Sequence, residues 1–477
     1  MTTLVTIPLW ALILLLLITL GATLDRVLIP STRWFLRRRI NRVIDEISTR
    51  LDIEIKPFQL TKRQILIDRL VYDAKVIETI QHQAHEHNIP REVLQTKVLE
   101  YAKEIVPSFN AYLYFRLGYW LAKKVARLLY RVRIGLVNNE QFGKVEPDST
   151  VVFVMNHRSN MDYILVAFLA AERTALSYAV GEWARIWPLQ TLIRALGAYF
   201  VRRKSGNPLY RKVLERYVHM ATKEGVCQAV FLEGGLSRDG RLRQPKMGLV
   251  DYMLRNYEPE TDRDIIFIPT GINYDRTLED RSLLYELNPE TEKRSKWFVI
   301  KTTARFIWRS LVFRILSRWQ HFGYACVNFG PYLSMREYCR DHEIHFNQMD
   351  RNFRFKEVEK ICRQLMASIE KVIPVLPISL VATVFVHHPE EGLSAFDVEG
   401  HVNRLIDEIE PLGASIYVST RSRVQNIVTA LNMLKIRRLV IEQDGLFRTD
   451  PQMLDVLNYY ANSIDHWKAV GARLNNL

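Results

Sequence analysis

The sequence predicts an α/β fold in which a mixed, mostly parallel sheet is flanked by helices. From about Val132 to residue 374, short stretches rich in β-branched and aromatic residues alternate with helical spans, a pattern typical of parallel strand–helix–strand units. The predicted strands are RVRIGLV, TVVFVM, ALSYAV, AYFVRR, QAVFLE, DIIFIPTGINY and ACVNFG. Long runs of helix-forming residues with few Gly or Pro predict helical regions at 27–131 and 375–477. The second region also contains a predicted hairpin in RRLVIEQDGLFRT.

The N-terminal residues 1–26 predict a transmembrane anchor. Leu4–Leu24 carries no charge and as a helix would span about 31 Å, close to the thickness of a bilayer's hydrocarbon core. The alternative is a cleaved signal peptide, but such peptides carry basic residues before the apolar run. Here the arginines follow it, starting at Arg26, so the positive-inside rule places the body on the cytoplasmic side, for a bacterium of the inner membrane.

The overall charge limits the choice of partners. Lys plus Arg exceed Asp plus Glu by 66 − 52 = 14, which favours nucleic acid, acidic lipid or phosphorylated ligands without choosing among them. The basic, aromatic span 293–319 suggests contact with a membrane surface, the alternative being a partly buried helix whose basic side chains reach outward. The four cysteines show no C-x-x-C spacing, which predicts reduced thiols.

The stretch NHRSNMD places a histidine and an aspartate at the end of a predicted strand. The strand 151–155 ends, His157 lies in the turn, Ser159 or Asn160 caps a helix, and Asp162 falls in its first turn. From there the carboxylate can reach one imidazole nitrogen while the other faces a site. The alternative is that Asp162 only stabilises the helix start, and this motif alone does not decide between the two.

Three further motifs follow in order: GAYFVRR (197–203), FLEGGLSRDGR (231–241) and IPTGINYDR (268–276). Together with NHRSNMD they resemble the four sequence blocks of the glycerolipid acyltransferase superfamily, and within it the glycerol-3-phosphate/dihydroxyacetone-phosphate acyltransferase family. The resemblance implies an acyltransferase domain at 132–374.

The resemblance implies that the protein is a membrane-bound enzyme. It would transfer a fatty acyl group from acyl-CoA or acyl-carrier protein to the sn-1 hydroxyl of glycerol 3-phosphate, the first step of phospholipid biosynthesis. No metal or redox cofactor and no nucleic acid is implied. Dihydroxyacetone phosphate or lysophosphatidate remain alternative acceptors. A non-catalytic membrane scaffold or lipid-binding protein is the alternative of another class.

The resemblance also implies catalytic roles for His157 and Asp162. An alcohol that attacks a thioester must lose its proton, and neutral imidazole, with a reference pKa near 6.5, is suited to accept it. His157 is therefore the predicted general base, and Asp162 orients and stabilises the imidazolium. The protein needs no nucleophile of its own, and the sequence contains no G-x-S-x-G motif.

Five residues in or near the second, third and fourth blocks are predicted to bind substrate. Arginine forks match phosphate oxygens, so Arg202 and Arg203 are predicted to hold the acceptor's phosphate. The resemblance adds Phe200 to the acceptor site. On the fourth block, Pro269 ends an apolar strand and is a candidate for substrate contact, the alternative being a structural turn. Lys246, in RQPKMG, is a further candidate phosphate ligand.

The third block contributes the remaining candidates. Glu233 and Gly234 are predicted to belong to the catalytic centre, Glu233 by fixing the loop or binding acceptor hydroxyls and Gly234 by offering its amide to phosphate or to the developing oxyanion. Ser237 matches the family's acceptor-binding serine, and Arg238 is a candidate phosphate ligand. Leu236 departs from the family pattern, which has an arginine at this position.

Overall fold

The computed structural model describes residues 56–136, 145–146, 148–170, 175–181, 189–202, 205–285, 322–418 and 423–467. The predicted anchor at 1–26 and the basic span at 293–319 lie outside these residues. Within the described residues, no helix combines the length and the apolar character that crossing a membrane requires.

A set of helices precedes the sheet. They are α1 (Pro57–Leu60), α2 (Arg63–Val71), α3 (Ala74–His87), α4 (Arg91–Ile105), a π-helix (Leu113–Gly118) and α5 (Tyr119–Leu129). The side chain of Asp73 accepts the amides of Lys75 and Val76 and so caps α3, which ends at Asn88 in the left-handed conformation.

Eight of the described strands form one sheet. They are β1 (Arg131–Leu136), β2 (Thr150–Met155), β3 (Ser177–Gly181), β4 (Ala198–Val201), β5 (Gln228–Phe231), β6 (Ile265–Tyr274), β7 (Tyr324–Phe329) and β8 (Leu333–Ser334). The order is β1-β7-β6-β2-β5-β3-β4, with β8 beside β6. Only the pairs β6–β7 and β6–β8 are antiparallel. The predicted mixed, mostly parallel sheet flanked by helices is confirmed.

The intervening helices cover both faces of this sheet. They are α6 (Met161–Ala170), α7 (Leu189–Ala195), α8 (Pro208–Lys223), α9 (Gly248–Leu254), α10 (Asp280–Tyr285), α11 (Met335–His342) and α12 (Arg351–Val372). Alternate residues of β2 face opposite sides, as strand geometry requires: Val152 and Val154 pack with α8 and α12, whereas Met155 packs with α6. The carboxyl ends of the parallel strands therefore meet at one edge, where ligands bind in open α/β sheets.

The C-terminal region is mainly helical. It contains α13 (Pro377–His387), α14 (Ala395–Ile409), α15 (Arg423–Ile436), β9 (Val440–Gln443), β10 (Leu446–Thr449), a 3₁₀ turn (Pro451–Met453) and α16 (Leu454–Ala461). The predicted hairpin forms from β9 and β10, which pair antiparallel around Asp444 and Gly445. Both turn residues have positive φ, 52° and 76°, as the Asp-Gly turn favoured in two-residue hairpins requires.

The C-terminal region is joined to the sheet through buried polar contacts. The carboxylate of Asp275, just after β6, accepts the amides of Tyr324 at 2.7 Å and of Ile378, in the first turn of α13, at 3.2 Å. Burial raises the pKa of Asp275 to about 7. The end of α12 lies directly on β6, where a Cβ at Gly271 would come within 2.6 Å of the Val372 carbonyl.

Candidate active site

The loop between β2 and α6 is anchored to the neighbouring strand. The amide side chain of Asn156 donates to the carbonyl of Ile272 at 2.9 Å and accepts from its backbone N–H at 2.8 Å. This two-way pairing continues the hydrogen bonding of β2 and β6 by one residue. His157 therefore leaves the sheet at a fixed position and direction.

The carboxylate of Asp162 lies at the centre of a buried hydrogen-bond network. Its Oδ2 is 2.8 Å from Nδ1 of His157 and accepts the backbone amides of Arg158 at 2.7 Å and Ser159 at 3.1 Å. Its Oδ1 accepts the hydroxyl of Tyr274 at 2.6 Å. Four donors thus converge on this side chain, and both of its oxygens act as acceptors. Because a carboxylate only accepts, Nδ1 of His157 carries the hydrogen, which leaves Nε2 as a proton acceptor.

Two aromatic rings hold the imidazole. The His157 ring stacks on Phe231, with centroids 3.9 Å apart, and meets the edge of Tyr163 at 5.3 Å and 84°. Only 2% of His157 is exposed, and Asp162 is fully buried. The ring therefore has little freedom to rotate away from Asp162.

Glu233 fixes the backbone around His157. One of its oxygens accepts the His157 amide at 2.8 Å and the other accepts the Arg243 amide at 2.9 Å. The amide of Ser237 in turn donates to the His157 carbonyl at 2.8 Å. Burial raises the pKa of Glu233 to about 7. The third block therefore hydrogen-bonds both the backbone N–H and the backbone carbonyl of His157.

His157 lines a cavity of about 360 Å³. The lining combines apolar side chains with cations, and no acidic side chain is among the described lining residues. The polar and charged lining residues are His157, Arg202, Ser205, Arg211 and Lys246; the others are Tyr163, Ala179, Val180, Gly181, Val201, Tyr210, Leu214, Val230, Phe231, Gly234, Gly248, Leu249 and Tyr252. Such a cavity suits a ligand with an apolar and an anionic part.

The guanidinium of Arg202 is already paired. Its Nε and terminal nitrogen donate to the two oxygens of Glu104 at 2.9 and 2.6 Å, a bidentate fork. Its planar group also lies over the rings of Tyr101 and Tyr210, at 5.2 and 5.0 Å. The side of the Arg202 guanidinium that was predicted to bind the acceptor's phosphate therefore binds Glu104. Arg203 lies outside the described residues.

Lys246 reaches the cavity across Gly234. Gly234 has φ +65°, and a Cβ there would lie 2.9 Å from Cγ of Lys246, so a side chain at this position would displace the lysine. The Gly234 amide donates to the Phe231 carbonyl at 2.9 Å and is not free to bind an oxyanion.

Four of the residues predicted to bind substrate lie away from the cavity wall. Phe200 is fully buried in the hydrophobic core, with the Arg194 guanidinium over its ring at 5.2 Å. Pro269 is buried in β6, opposite Val154 of β2.

The Ser237 hydroxyl donates to the Arg241 carbonyl at 2.7 Å and accepts the Gly240 amide at 3.1 Å, so it closes the loop of the third block. Arg238 is exposed on that loop.

Sequence reasoning missed two residues that position the site. Tyr274 ends β6 within the fourth block, and its hydroxyl reaches Asp162. Glu279 accepts the Ser159 hydroxyl at 2.7 Å and the side-chain and backbone N–H groups of Asn160 at 3.2 and 3.3 Å. A tyrosine at the end of an apolar strand was the available signal for Tyr274, whereas the local sequence around Glu279 contains none. No cluster of three or more potential metal ligands occurs among the residues described.

Comparisons with known proteins agree with this geometry. The acyltransferase family model matches residues 136–273, and the model of the glycerol-3-phosphate acyltransferase C-terminal region matches residues 310–474. The chain is thus similar to acyltransferases over the first of these regions and to glycerol-3-phosphate acyltransferases over the second. The predicted resemblance is therefore confirmed. The second match extends the similarity to the mainly helical C-terminal region.

Relatives in the acyltransferase family align along most of the chain. The glycerol-3-phosphate acyltransferase of Xanthomonas campestris pv. campestris is 26% identical over 442 residues, which is 90% of this chain and 48% of that protein. That of Pseudomonas paraeruginosa is 25% identical over 451 residues, 91% of this chain and 52% of that protein. The chain thus spans about half the length of these curated relatives.

The solved structures that match include the crystal structure of the 1-acyl-sn-glycerophosphate acyltransferase from Thermotoga maritima. It is 15% identical, with 64% of this chain and 98% of that chain covered, at a TM-score of 0.29.

Proposed function

We propose that the protein is a membrane-bound glycerol-3-phosphate 1-O-acyltransferase that uses acyl-CoA or acyl-carrier protein as donor. The observation that carries this proposal is the His157–Asp162 pair, 2.8 Å apart, in the wall of a cavity that offers apolar surface and cations. The apolar part suits an acyl chain, and the cations suit a phosphorylated acceptor. The names of the relatives support the same acceptor and reaction.

The reaction needs one proton to move twice. Nε2 of His157 takes the proton from the sn-1 hydroxyl as its oxygen forms a bond to the thioester carbonyl carbon. The tetrahedral intermediate then breaks its C–S bond, and the imidazolium returns the proton to the departing thiolate. Asp162 stabilises the imidazolium between these steps without taking the proton itself. General-base catalysis of this kind contributes roughly 10²- to 10⁴-fold to a rate.

Glu233 acts by position in this proposal. Its two oxygens accept backbone amides of His157 and Arg243, so it sets the place of the base and does not touch the acceptor. Gly234 contributes by leaving room for Lys246 at the cavity wall. Ser237 and Arg238 belong to the loop that Glu233 holds, and Phe200 and Pro269 contribute to the shape of the sheet that carries the site.

The membrane assignment rests on the N-terminal sequence. We place residues 1–26 across the membrane and the body on its cytoplasmic side, in a bacterium the inner membrane, because the arginines follow the apolar stretch. Protease applied to sealed vesicles tests the orientation. The C-terminus should be digested only from the cytoplasmic face, and digestion from the opposite face would reverse the topology.

A panel of acceptors tests the activity. Purified full-length protein is incubated with labelled acyl-CoA, or with acyl-carrier protein, and glycerol 3-phosphate, dihydroxyacetone phosphate or lysophosphatidate. We expect rapid acylation of glycerol 3-phosphate at the sn-1 position. Preference for another acceptor would identify the enzyme as an acyltransferase of that acceptor. No transfer to any acceptor from either donor would support a scaffold or lipid-binding protein.

A further inference from the structure

One outward-facing helix of the sheet domain combines large apolar side chains with positive charge. The π-helix (Leu113–Gly118) continues directly into α5 (Tyr119–Leu129), because Gly118 and Tyr119 at the junction both have right-handed helical backbone angles. The two elements therefore form a single helix about 25 Å long, which we call the outer helix (113–129).

The inner face of the outer helix packs on the helix that carries Asp162. Ala122 and Ala126 are buried against Ile164 of α6. Asp162 lies in the first turn of α6. Because packed helices lie about 8–10 Å apart, the opposite face of the outer helix is only one helix layer away from the candidate site.

That opposite face exposes apolar side chains. Leu117, Trp120 and Leu121 are 43%, 54% and 43% exposed. Their i, i+3, i+4 spacing places them on one side of the helix. Contiguous apolar surface of this kind marks a contact with another protein or with a membrane.

The same face is positively charged. Arg116 and Lys124, four residues before and after Trp120, are exposed, and neither forms an ion pair with an acidic side chain of the described chain. The Lys124 ammonium lies 6.0 Å from the centroid of the Trp120 ring. Residues 111–136 contain no Asp or Glu and six cations, namely Arg116, Lys123, Lys124, Arg127, Arg131 and Arg133. Such a face attracts a partner of opposite charge.

This combination of side chains fits an anionic lipid surface better than a protein partner. Lysine is depleted at the centre of protein–protein interfaces. Lys and Arg beside Trp are instead typical of helices at a bilayer surface. The long aliphatic stems of Arg116 and Lys124 let their charges reach lipid phosphates while Trp120 enters the headgroup region.

We propose that the outer helix is a membrane contact of the folded body and lies in the plane of a bilayer that contains acidic phospholipid. The inference goes beyond the proposed function, in which only residues 1–26 enter the membrane, and it does not depend on acyl transfer. In this orientation α6 lies about 15–20 Å from the headgroups.

Quenching by brominated lipid tests the contact in the full-length protein. All four native cysteines are buried, so Leu121→Cys provides the exposed thiol for a fluorescent label. Val93→Cys is the matched control, because Val93 is 45% exposed but lies on α4, which packs against the opposite face of the sheet. Each labelled protein is reconstituted into vesicles of phosphatidylcholine and phosphatidylglycerol, with and without bromine on the acyl chains.

We expect brominated lipid to reduce the fluorescence of the label at 121 by about half, because a helix in the bilayer surface buries its outward side chains about 5–10 Å into the headgroup and acyl boundary. The label at 93 should not change. No quenching at 121, or equal quenching at both positions, overturns the proposal. Protection of the label at 121 from aqueous iodide without quenching by lipid would mean that protein covers this face, which also overturns it.

The same assay tests the charge of the face. Arg116→Gln/Lys124→Gln should reduce the quenching at 121 at least about twofold, because each basic residue adds attraction to an acidic lipid surface. Arg91→Gln/Lys97→Gln removes two exposed charges from α4 and should leave the quenching unchanged. Equal quenching in the two double variants overturns the proposed contact with acidic lipid.

The quenching assay separates this inference from the proposed activity, since it needs neither substrate nor turnover. Quenching at 121 that depends on Arg116 and Lys124 supports the membrane contact even if the acceptor panel shows no acyl transfer. An unquenched label at 121 in an active enzyme overturns the contact and leaves the proposed function intact.

Discussion

The carboxylate of Asp162 sets both the tautomer and the position of His157. It accepts the imidazole Nδ1–H, two backbone amides and the Tyr274 hydroxyl while fully buried, so the imidazole and its partner form one rigid unit. Stacking on Phe231 completes the constraint on the ring. The contacts that orient His157 and leave its Nε2 able to accept a proton are therefore formed within the protein itself.

Asp162→Asn should lower kcat by roughly 10²- to 10⁴-fold. The amide keeps the shape of the side chain but carries no negative charge, so it no longer stabilises the imidazolium that forms when His157 takes the proton. Initial rates with saturating substrates measure the effect, and circular dichroism checks the fold. A rate close to wild type in a folded variant would remove Asp162 from the mechanism.

Tyr274→Phe should lower kcat by about 2- to 10-fold, measured as initial rates with saturating substrates. Loss of the 2.6 Å hydrogen bond leaves Oδ1 of Asp162 without its buried donor, so the carboxylate holds the His157 ring less firmly. Tyr199→Phe is the matched control, since its buried hydroxyl has no hydrogen-bond partner within the described chain. Equal kcat values for Tyr274→Phe and wild type would show that this hydroxyl does not position the Asp162 carboxylate.

The start of helix α6 depends on a carboxylate from a distant segment. Glu279 accepts three hydrogen bonds from Ser159 and Asn160, and Asp162 follows in the first turn. Burial raises the pKa of Glu279. Its neighbour Asp280 is bound by Arg437 and Tyr460, so the same short segment connects α6 to the C-terminal helices.

Glu279→Ala should reduce kcat and also lower the unfolding free energy by about 1–3 kcal/mol, because the Ser159 and Asn160 donors lose their acceptor. Glu279→Gln retains one acceptor oxygen and should recover part of both losses. Denaturant titration and turnover are measured on the same preparations. If stability falls in Glu279→Ala while kcat stays at the wild-type value, Glu279 stabilises the fold without positioning the base.

At the scale of the whole molecule, the C-terminal region contacts the loop that carries His157 and the loop of the third block. Tyr459 of α16 lies 5.0 Å from the Arg158 guanidinium carbon, and the Asn462 side chain donates to the Asp239 carbonyl at 2.9 Å. Arg158 follows His157 directly, and Asp239 lies in the third block. With the Ile378 amide bound to Asp275 of the fourth block, the contacts of the C-terminal region reach three of the four blocks.

Asp275→Asn should reduce the pH dependence of stability. A carboxyl whose folded pKa is raised to about 7 stabilises the fold below its unfolded value near 4, and this stabilisation is lost as pH rises to about 7. The variant stays neutral, so the difference in unfolding free energy between pH 5 and 7.5 should shrink by roughly 1–4 kcal/mol. Exposed Asp407→Asn is the control. An unchanged difference in Asp275→Asn would show that this carboxyl does not titrate in that range.

Local pattern predicted much of this molecule. Each of the seven predicted stretches contains a strand, the β9–β10 hairpin forms, and Asp162 falls in the first turn of the helix after His157. These features depend on neighbouring residues, whose spacing is visible in the chain. The short strand β8 has only two residues, too few to give a pattern.

The contacts that sequence did not predict join distant residues. Arg202 pairs with Glu104 across 98 positions, and Tyr274 with Asp162 across 112. Nothing in GAYFVRR indicates that one arginine faces a glutamate of α4 while a different arginine, Arg211, faces the cavity. Such choices depend on which helices pack together, which residue spacing does not encode.

The most direct test of the central claim compares wild type and His157→Ala in acyl transfer to labelled glycerol 3-phosphate. We expect the wild type to form 1-acyl-glycerol 3-phosphate, and we expect the variant to bind glycerol 3-phosphate with similar affinity while its kcat falls at least about 10²-fold. A folded His157→Ala protein with near-wild-type turnover would contradict it.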